Sequence, residues 1–341
     1  MDKTVAIKTE LNAFCHEIGN NSNLVQGSGG NISFKHNDTL LIKASGTKLG
    51  DAKSKNIFVA VALSDLLSKL KKSQHDVTPK IIGHNRLRPS IETSMHAIMK
   101  QKVVLHIHQV DALAQLIQAS NNLKSLVDAS GRLKSLYVKY TNPGVDLANS
   151  IKLQLNDHDE INCLLLENHG IVLAADSIED IRSLLTIFLK AAALNENKVK
   201  FLQQYPCDIL CDDGELYTAI NEKKLHSLAL DRSLYKRVIN DWAICPDHVV
   251  FLGEQANRFS NVKAVQRNLS FKLKPSLLFV ENVGVYINQN FTSAQMDQLT
   301  CYYDVMVRIP KQDKVRCISK MDIDFLMTWD AEKHRQNLAK Q

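Results

Sequence analysis

The chain has 341 residues, of which 45% are hydrophobic and 23% are charged, and its formal net charge is +6. These proportions are typical of a globular protein with a substantial core, and a weak, dispersed positive charge argues against nucleic-acid binding but suits an anionic substrate. No apolar run approaches the length of about 20 residues that a bilayer span needs, so we expect no membrane association. Seven scattered cysteines, an odd number, favour reduced thiols and a cytoplasmic location.

The first half of the chain alternates helix-like segments with short apolar strands. Periodicity and turn signals predict, in chain order, a helix over 4–19, strands at 31–34, 40–43 and 57–61, a helix over 63–71, a helix from Pro89 to Met99, a strand at 103–108, a helix over 111–118, a strand at 161–166 and a long helix over 178–194. This alternation indicates a mixed α/β fold.

Beyond about residue 205 the sequence becomes more polar and irregular. It predicts a turn at 211–214, strands near 249–252, 277–280 and 284–287, a helix over 293–308 and a polar helical tail over 323–340. We therefore predict two domains, residues 1–205 and a smaller α+β extension over residues 206–341 whose role the sequence does not reveal.

Two histidines lie two residues apart on the apolar strand at 103–108. His106 and His108 share one face of the strand, while Ile107 points the opposite way into apolar packing. Two imidazoles about 6–7 Å apart at Cα can converge on one ion at metal–nitrogen distances of roughly 2 Å. Taken alone, the pair is equally consistent with two hydrogen-bonded core histidines.

A third histidine, His169, follows the strand at 161–166 in a turn that contains Gly170. Three protein ligands with one open position are typical of a catalytic rather than a structural zinc site. We therefore predict a divalent metal, with zinc as the first choice, bound by His106, His108 and His169.

Glu92 lies near the start of the helix that follows Pro89, four residues before His96 and on the same face. An acid in a first turn is favoured by the helix dipole, so the local pattern is also that of an ordinary amphipathic helix. From its position in the sequence, Glu92 is a candidate for a metal ligand or an acid–base group, and His96 is separate from the histidine set.

Several motifs occur in a fixed order between about residues 8 and 200: Gly29-Gly30-Asn31-Ile32-Ser33, Ile42-Lys43-Ala44-Ser45-Gly46-Thr47, Arg88-Pro89-Ser90-Ile91-Glu92-Thr93, His106-Ile107-His108, Tyr140-Thr141-Asn142-Pro143-Gly144 and Glu167-Asn168-His169-Gly170. Together they resemble the class II aldolases, a family that includes fuculose-1-phosphate and rhamnulose-1-phosphate aldolases, ribulose-5-phosphate 4-epimerase and the adducin head domain. The resemblance implies a three-layer α/β/α domain around a central, mainly antiparallel sheet.

The resemblance also implies roles for individual residues. The zinc ligands would be His106, His108 and His169, and Glu92 would both coordinate the resting metal and move protons. The residues lining the substrate's phosphate pocket would be Gly30, Asn31, Ser45, Gly46 and Ser90, where glycine lets backbone amides approach an anion closely. Ile91 stands where family aldolases often carry a second hydroxyl, so one phosphate donor is missing.

We predict a zinc-dependent aldolase that cleaves a sugar phosphate or a similar anionic ketose. Zinc would act as a Lewis acid for the enediolate left when the C–C bond breaks, and Glu92 would shuttle the proton. The same apparatus serves an epimerase or a 3-keto-acid decarboxylase, and these remain alternatives, as does a non-catalytic adducin-like interaction module. The sequence contains no Gly-x-Gly-x-x-Gly motif, which predicts no dehydrogenase activity.

The C-terminal residues offer two further candidates, Tyr302 and Tyr303. Family enzymes often use a C-terminal tyrosine as a proton donor, but two aromatics packed on a helix fit the same pattern. The extension would either cap the substrate pocket or mediate assembly. The resemblance also implies a homo-oligomer, commonly a tetramer, with sites near subunit interfaces.

Overall fold

A seven-stranded sheet forms the centre of the first domain in the computed structural model, which describes residues 3–72, 77–155, 160–267 and 274–340. The strands are β1 (Asn31–His36), β2 (Thr39–Lys43), β3 (Phe58–Ala62), β4 (Val103–Ile107), β5 (Ser135–Val138), β6 (Cys163–Leu166) and β7 (Gly170–Ala175). Their order across the sheet is β3-β2-β1-β4-β7-β6-β5. Neighbouring strands are antiparallel, except that β5 runs parallel to β6. The predicted, mainly antiparallel sheet is therefore confirmed.

Helices cover both faces of this sheet. They are α1 (Lys3–Gly19), α2 (Leu63–Lys71), α3 (Thr93–Ile98), α4 (Val110–Leu116), α5 (Leu123–Asp128), α6 (Val145–Leu155) and α7 (Ile178–Ala192). Leu105 and Ile107 face a core formed with α1, α5 and α7. Val104 and Val172, on the other face, pack against α3 and α6. Alternating side chains of β4 thus enter two different cores, and the three-layer α/β/α arrangement follows from this.

One predicted helix of this domain begins later than expected. The residues from Pro89 to Glu92 are not helical, and α3 begins at Thr93. Pro89 forms a β-bridge with Ala44, and the Ser90 amide donates to the Lys43 carbonyl at 3.2 Å. This segment therefore pairs with the residues at the end of β2, because its backbone hydrogen bonds are made to Lys43 and Ser45 rather than within a helix.

A second, five-stranded sheet lies in the C-terminal domain. Its strands are β8 (Ile209–Leu210), β9 (Leu216–Ala219), β10 (Arg258–Phe259), β11 (Leu277–Val280) and β12 (Gly284–Ile287), in the order β10-β11-β12-β9-β8. The helices are α8 (Ser227–Leu230), α9 (Arg232–Asn240), α10 (Pro246–Leu252), α11 (Val262–Gln266), α12 (Ser293–Met306), α13 (Lys320–Thr328) and α14 (Asp330–Leu338). An α+β C-terminal part is thus present, and the boundary at residue 205 stays a prediction, within the stretch between α7 and β8.

Two predictions for the C-terminal domain are wrong. The predicted strand near 249–252 is part of helix α10, which has Pro246 in its first turn, where the missing N–H costs nothing. The predicted single tail helix is two helices, because the backbone of Trp329 is extended, with a ψ of 125°. That break turns α14 back toward the first domain, where it reaches the pocket.

The C-terminal domain is anchored beside the strand that carries the histidines. Helix α4 starts two residues after His108, and its apolar side chains share one hydrophobic cluster with α9 and α12. An ion pair between Asp111 of α4 and Arg308, 2.6 Å from Oδ1 to Nε, adds a polar link. Among the described residues, no helix combines the length and apolar character that a bilayer span requires.

Candidate metal centre

Three imidazoles converge at the end of strand β4. His106 is the penultimate residue of β4, His108 follows its last residue, and His169 lies in the turn between β6 and β7. The ring centroids are 4.8 to 5.4 Å apart. One ligand nitrogen of each ring lies within 4.8 Å of the other two, and all three side chains are buried. The three predicted histidines therefore occupy one site, and Ile107 points away from it into the core shared with α1 and α7.

The turn that carries His169 depends on its two neighbours. Asn168 adopts a left-handed conformation, with a φ of 53°, and its amide donates to two backbone carbonyls of the C-terminal domain at 2.9 and 2.7 Å. A Cβ at Gly170 would lie 2.5 Å from the Ile107 carbonyl oxygen. A residue with a side chain at 170 would push β7 away from β4, and His169 would then move away from the other two rings.

The hydrogen bonds and burial of the imidazoles favour metal binding. His106 Nδ1 donates to the Ile171 carbonyl at 3.0 Å, which leaves the lone pair on Nε2, and this atom lies 3.1 Å from Nε2 of His108. Burial lowers the pKa of His108 to about 3 and that of His169 to about 4. Both rings are therefore neutral near pH 7, which is the form that binds metals.

Glu92 faces the same point. Its Oε2 lies 3.4 Å from His106 Nε2, and its Oε1 lies 3.3 Å from His169 Nε2. Burial acts to raise the pKa of Glu92, but the surrounding imidazoles and a hydrogen bond of 2.7 Å from the Asn31 amide outweigh it and lower that pKa. The carboxylate is therefore ionised and directed at the three rings.

Asn31 is held in this orientation by His96. Asn31 lies opposite His106 in the pairing of β1 with β4. Its side-chain oxygen accepts from His96 Nε2, while His96 Nδ1 lies 2.8 Å from the Ser33 hydroxyl. His96, which the sequence pattern separates from the site, therefore supports Glu92 through the Asn31 amide.

The donor set fits a divalent cation. Three imidazole nitrogens and one carboxylate are ligands that Zn²⁺ takes in proteins. Within the described residues, the buried Oε1 of Glu92 has no hydrogen-bond donor. Leaving a buried polar group unpaired costs about 1–3 kcal/mol, and more for a charged group. A cation between Glu92 and the histidines would offset this cost.

A pocket that is partly open to solvent lies above the histidines. Its walls in the first domain include all five predicted substrate-binding residues, Gly30, Asn31, Ser45, Gly46 and Ser90. Ile91 also lines the pocket, as does Lys43, whose Nζ donates to the carbonyls of Ser28 and Thr47 at 2.9 and 2.6 Å. Burial lowers the pKa of Lys43 to about 7.

The C-terminal domain forms the opposite wall of the pocket. Asp247, at the start of α10, and Glu332 and Arg335, on α14, all line it. Leu338 covers Gly46, because a Cβ at Gly46 would lie 2.3 Å from its Cδ1. The sequence gives no signal for these contributions, since an acid after Pro246 and an acid–arginine pair three residues apart are ordinary features of surface helices.

Tyr302 and Tyr303 lie elsewhere in the structure. Both are buried in α12, within the hydrophobic cluster of the C-terminal domain, and neither is among the described residues that line the pocket. The Tyr302 hydroxyl donates to the Asp241 carbonyl at 3.1 Å, and the Tyr303 ring lies 5.3 Å from Lys224 Nζ. Their positions correspond to aromatics packed on a helix rather than to a proton donor at the histidines.

Comparison with known proteins places this arrangement in a family. The sequence model of the Class II Aldolase and Adducin N-terminal domain matches residues 9–195. The chain belongs to the class II aldolase and adducin family. The match ends near α7, so the C-terminal domain that closes the pocket lies outside the family's shared region.

Three known proteins to which this chain is similar illustrate the range of identity and coverage. The YuxG protein of Bacillus subtilis (strain 168), described as an uncharacterized oxidoreductase, is 28% identical over 178 residues, which are 48% of this chain and 25% of YuxG. The chain thus spans about a quarter of that relative. The N-terminal class II aldolase domain of a conserved protein from Thermoplasma acidophilum has 22% identity and a TM-score of 0.46, covering 54% of this chain and 90% of that one. The structure of an L-fuculose 1-phosphate aldolase has 20% identity and a TM-score of 0.41. The match covers 55% of this chain and 83% of the aldolase chain.

Gly29, in the first motif of this class II aldolase domain, provides a test of the site's packing. A Cβ there would lie 2.9 Å from Asp247 Oδ2 and 3.1 Å from His108 Nδ1. We expect Gly29→Ala to lower the free energy of unfolding by about 1–3 kcal/mol through overpacking, and to weaken the binding of added zinc by about tenfold, since the added methyl group would displace His108 or Asp247. Urea denaturation and a chelator-competition titration measure the two effects.

Gly83→Ala serves as the control for this prediction. Gly83 has a positive φ, 76°, but no described atom lies within 4 Å of the position that a Cβ would take there, and Gly83 does not line the pocket. We expect this variant to lose stability through backbone strain while its zinc affinity stays unchanged. Unchanged zinc affinity in Gly29→Ala would contradict the packing argument.

Proposed function

We propose that this chain is a zinc-dependent lyase of the class II aldolase type that cleaves a C–C bond in a sugar phosphate or a similar anionic ketose. The observation that carries the proposal is a buried cluster of three imidazoles and one carboxylate, of which His108, His169 and Glu92 line a pocket. Family membership over residues 9–195 supports an enzyme of this general kind.

The proposed mechanism assigns the Lewis-acid role to a cation and proton transfer to Glu92. A divalent cation held by His106, His108 and His169, with Glu92 as a further ligand at rest, would supply a Lewis acid for the ketose oxygens. Glu92 is ionised and lies at the pocket floor, so it would accept the proton of the hydroxyl whose carbon becomes the aldehyde and return it to the carbon left when the C–C bond breaks. The Asn31 amide, bonded to Oε2, keeps the carboxylate in one orientation during this transfer.

The anionic group of the substrate would bind along the glycine-containing loops of the first domain. Gly30 and Gly46 line the pocket with positive φ values of 59° and 74°, and Ser45 and Ser90 lie in the same wall. Asn31 also lines the pocket, but in our proposal its amide orients Glu92, because it is bonded to Glu92 and Ser90. We propose that the hydroxyls and backbone amides of these loops, rather than the Asn31 amide, bind the anion.

Metal removal tests the proposal directly. We expect purified protein to contain about one zinc ion per chain, to lose turnover on dialysis against a chelator, and to regain it with added zinc, because the Lewis acid is essential to the bond cleavage. Protein that lacks stoichiometric metal when purified without chelators would refute a metal-dependent enzyme and favour an interaction module.

A substrate screen separates the reactions that share this apparatus. Ketose 1- and 5-phosphates and 3-keto acids are tested with zinc present. Release of dihydroxyacetone phosphate or glycolaldehyde phosphate would establish an aldolase. Carbon dioxide release would establish a decarboxylase, and interconversion of pentose phosphates without net cleavage would establish an epimerase.

We further propose a cytoplasmic homo-oligomer, with four subunits as the first expectation. All seven cysteines are free, which suits a reducing compartment. Membership of a family whose enzymes are often oligomeric supports the assembly. Light scattering of the purified chain measures its subunit number, and a monomeric mass would exclude the proposed assembly.

A further inference from the structure

Asp247 is a carboxylate of the C-terminal domain that reaches one of the three histidines. It lies in the first turn of α10, is 3% exposed, and places Oδ2 3.4 Å from His108 Nδ1. Among the described residues, this buried Oδ2 has no hydrogen-bond partner, so the 3.4 Å approach to His108 Nδ1 is a polar contact rather than a hydrogen bond. The carboxylate therefore approaches His108 from the side opposite the nitrogen, Nε2, that faces His106.

The position of Asp247 is maintained by α14. Its other oxygen, Oδ1, lies 2.8 Å from Nη2 of Arg335, whose Nη1 donates to both oxygens of Glu332 at 3.1 and 2.9 Å. All three side chains are buried. A planar guanidinium that bonds two carboxylates has little freedom to rotate, so it fixes Asp247 relative to the first domain.

Gly29 is a second, independent indication that this contact is built into the site. A Cβ at residue 29 would crowd both groups, since it would lie 2.9 Å from Asp247 Oδ2 and 3.1 Å from His108 Nδ1. The first motif of the aldolase domain thus leaves space for a carboxylate that comes from the other domain.

We propose that the C-terminal domain completes the metal centre: Asp247 Oδ2, 3.4 Å from His108 Nδ1, favours the tautomer with the proton on Nδ1 and Nε2 free for the metal, and Arg335 holds Asp247 in place. Carboxylates that orient a metal-ligating histidine in this way also raise its basicity as a ligand. Asp247 is a positioning residue, because it acts on the metal through His108. The inference rests on the proposed metal-dependent function and assigns a role to the domain outside the family's shared region.

The test compares zinc affinity in wild-type protein and Asp247→Asn by chelator competition, without any measurement of turnover. Asparagine keeps the shape of the side chain and removes its charge, so we expect the dissociation constant for zinc to rise about 10- to 100-fold. The visible spectrum of the cobalt-substituted protein reports ligand geometry, and we expect its ligand-field bands to change in this variant. Thermal unfolding of the metal-free proteins checks that folding is retained.

Asp111→Asn is the matched control. It is the same substitution in a carboxylate that also pairs with an arginine of the C-terminal domain, Arg308, but does not line the pocket. We expect its zinc affinity to equal that of wild type. If both variants lost zinc affinity equally, the cause would be a weakened contact between the two domains rather than the loss of Asp247 at His108. That result would overturn the inference.

Two further outcomes separate the inference from the proposed function. Wild-type protein that binds neither zinc nor cobalt would refute the metal-dependent function itself. Wild-type protein that binds zinc, with Asp247→Asn within twofold of it, would refute the positioning role alone. Should Asp247→Asn fail to fold, Arg335→Lys keeps the charge but loses the planar fork, and unchanged zinc affinity in that variant would equally refute the role.

Discussion

Glu92→Gln should reduce kcat by about 10²- to 10⁴-fold when zinc is saturating, which is the usual contribution of a positioned acid–base group. The substitution is nearly isosteric, and Asn31, bonded to Oε2 at 2.7 Å, can still bond to the amide oxygen of glutamine. The pocket therefore keeps its shape while the group that carries the proton is lost. Steady-state kinetics on the substrate identified by the screen measure the effect, and we expect KM to change much less than kcat.

A control for this variant is Glu215→Gln. Glu215 is partly buried in the turn between β8 and β9, where it accepts from Lys274 and Asn288, and it does not line the pocket. Its replacement should leave kcat unchanged. Because Glu92 also faces the histidines, the zinc content of each variant is measured beside kcat. Full turnover in zinc-loaded Glu92→Gln would refute the assignment of proton transfer to Glu92.

The fold of the first domain could be predicted well because its strands are short apolar runs bounded by turn residues. The strands predicted at 31–34, 40–43 and 57–61 correspond to β1, β2 and β3 within one or two residues at each end. The strand predicted near 249–252 is wrong because the sequence there does not distinguish a buried strand from a buried helix. All seven residues of α10 are buried, so no face of the helix is exposed, and the apolar run at 249–252 shows no helical alternation of polar and apolar residues.

Some residues of the candidate site could be predicted from the local sequence, and others could not because tertiary packing brings them to the site. His106 and His108 could be predicted to share a face because the alternation of a strand is local. Asp247 and Arg335 could not be assigned to the site, because their positions result from the packing of α10 and α14 against another domain. The break at Trp329, which brings α14 to the pocket, carries no glycine or proline to reveal it.

His169→Ala should raise the dissociation constant for zinc by more than about 100-fold, which exceeds the usual effect of losing a group that only orients a ligand. The turn should keep its backbone, because Asn168 is bonded to two carbonyls of the C-terminal domain and Nδ1 of His169 has no hydrogen-bond partner among the described residues. The metal-free variant should therefore unfold at nearly the wild-type temperature. Chelator competition and calorimetry of the metal-free protein measure the two quantities.

His226→Ala should give the opposite result, because His226 is a buried histidine with a structural role. Its Nε2 donates to the Ile220 carbonyl at 2.8 Å, and its Nδ1 accepts from the Val285 amide at 3.1 Å. Removing the ring leaves both backbone groups buried and unpaired, at about 1–3 kcal/mol each, yet zinc affinity should be retained. A His169→Ala variant that lost stability without losing zinc would show that His169, too, is a structural histidine, and the three-histidine metal centre would then be refuted.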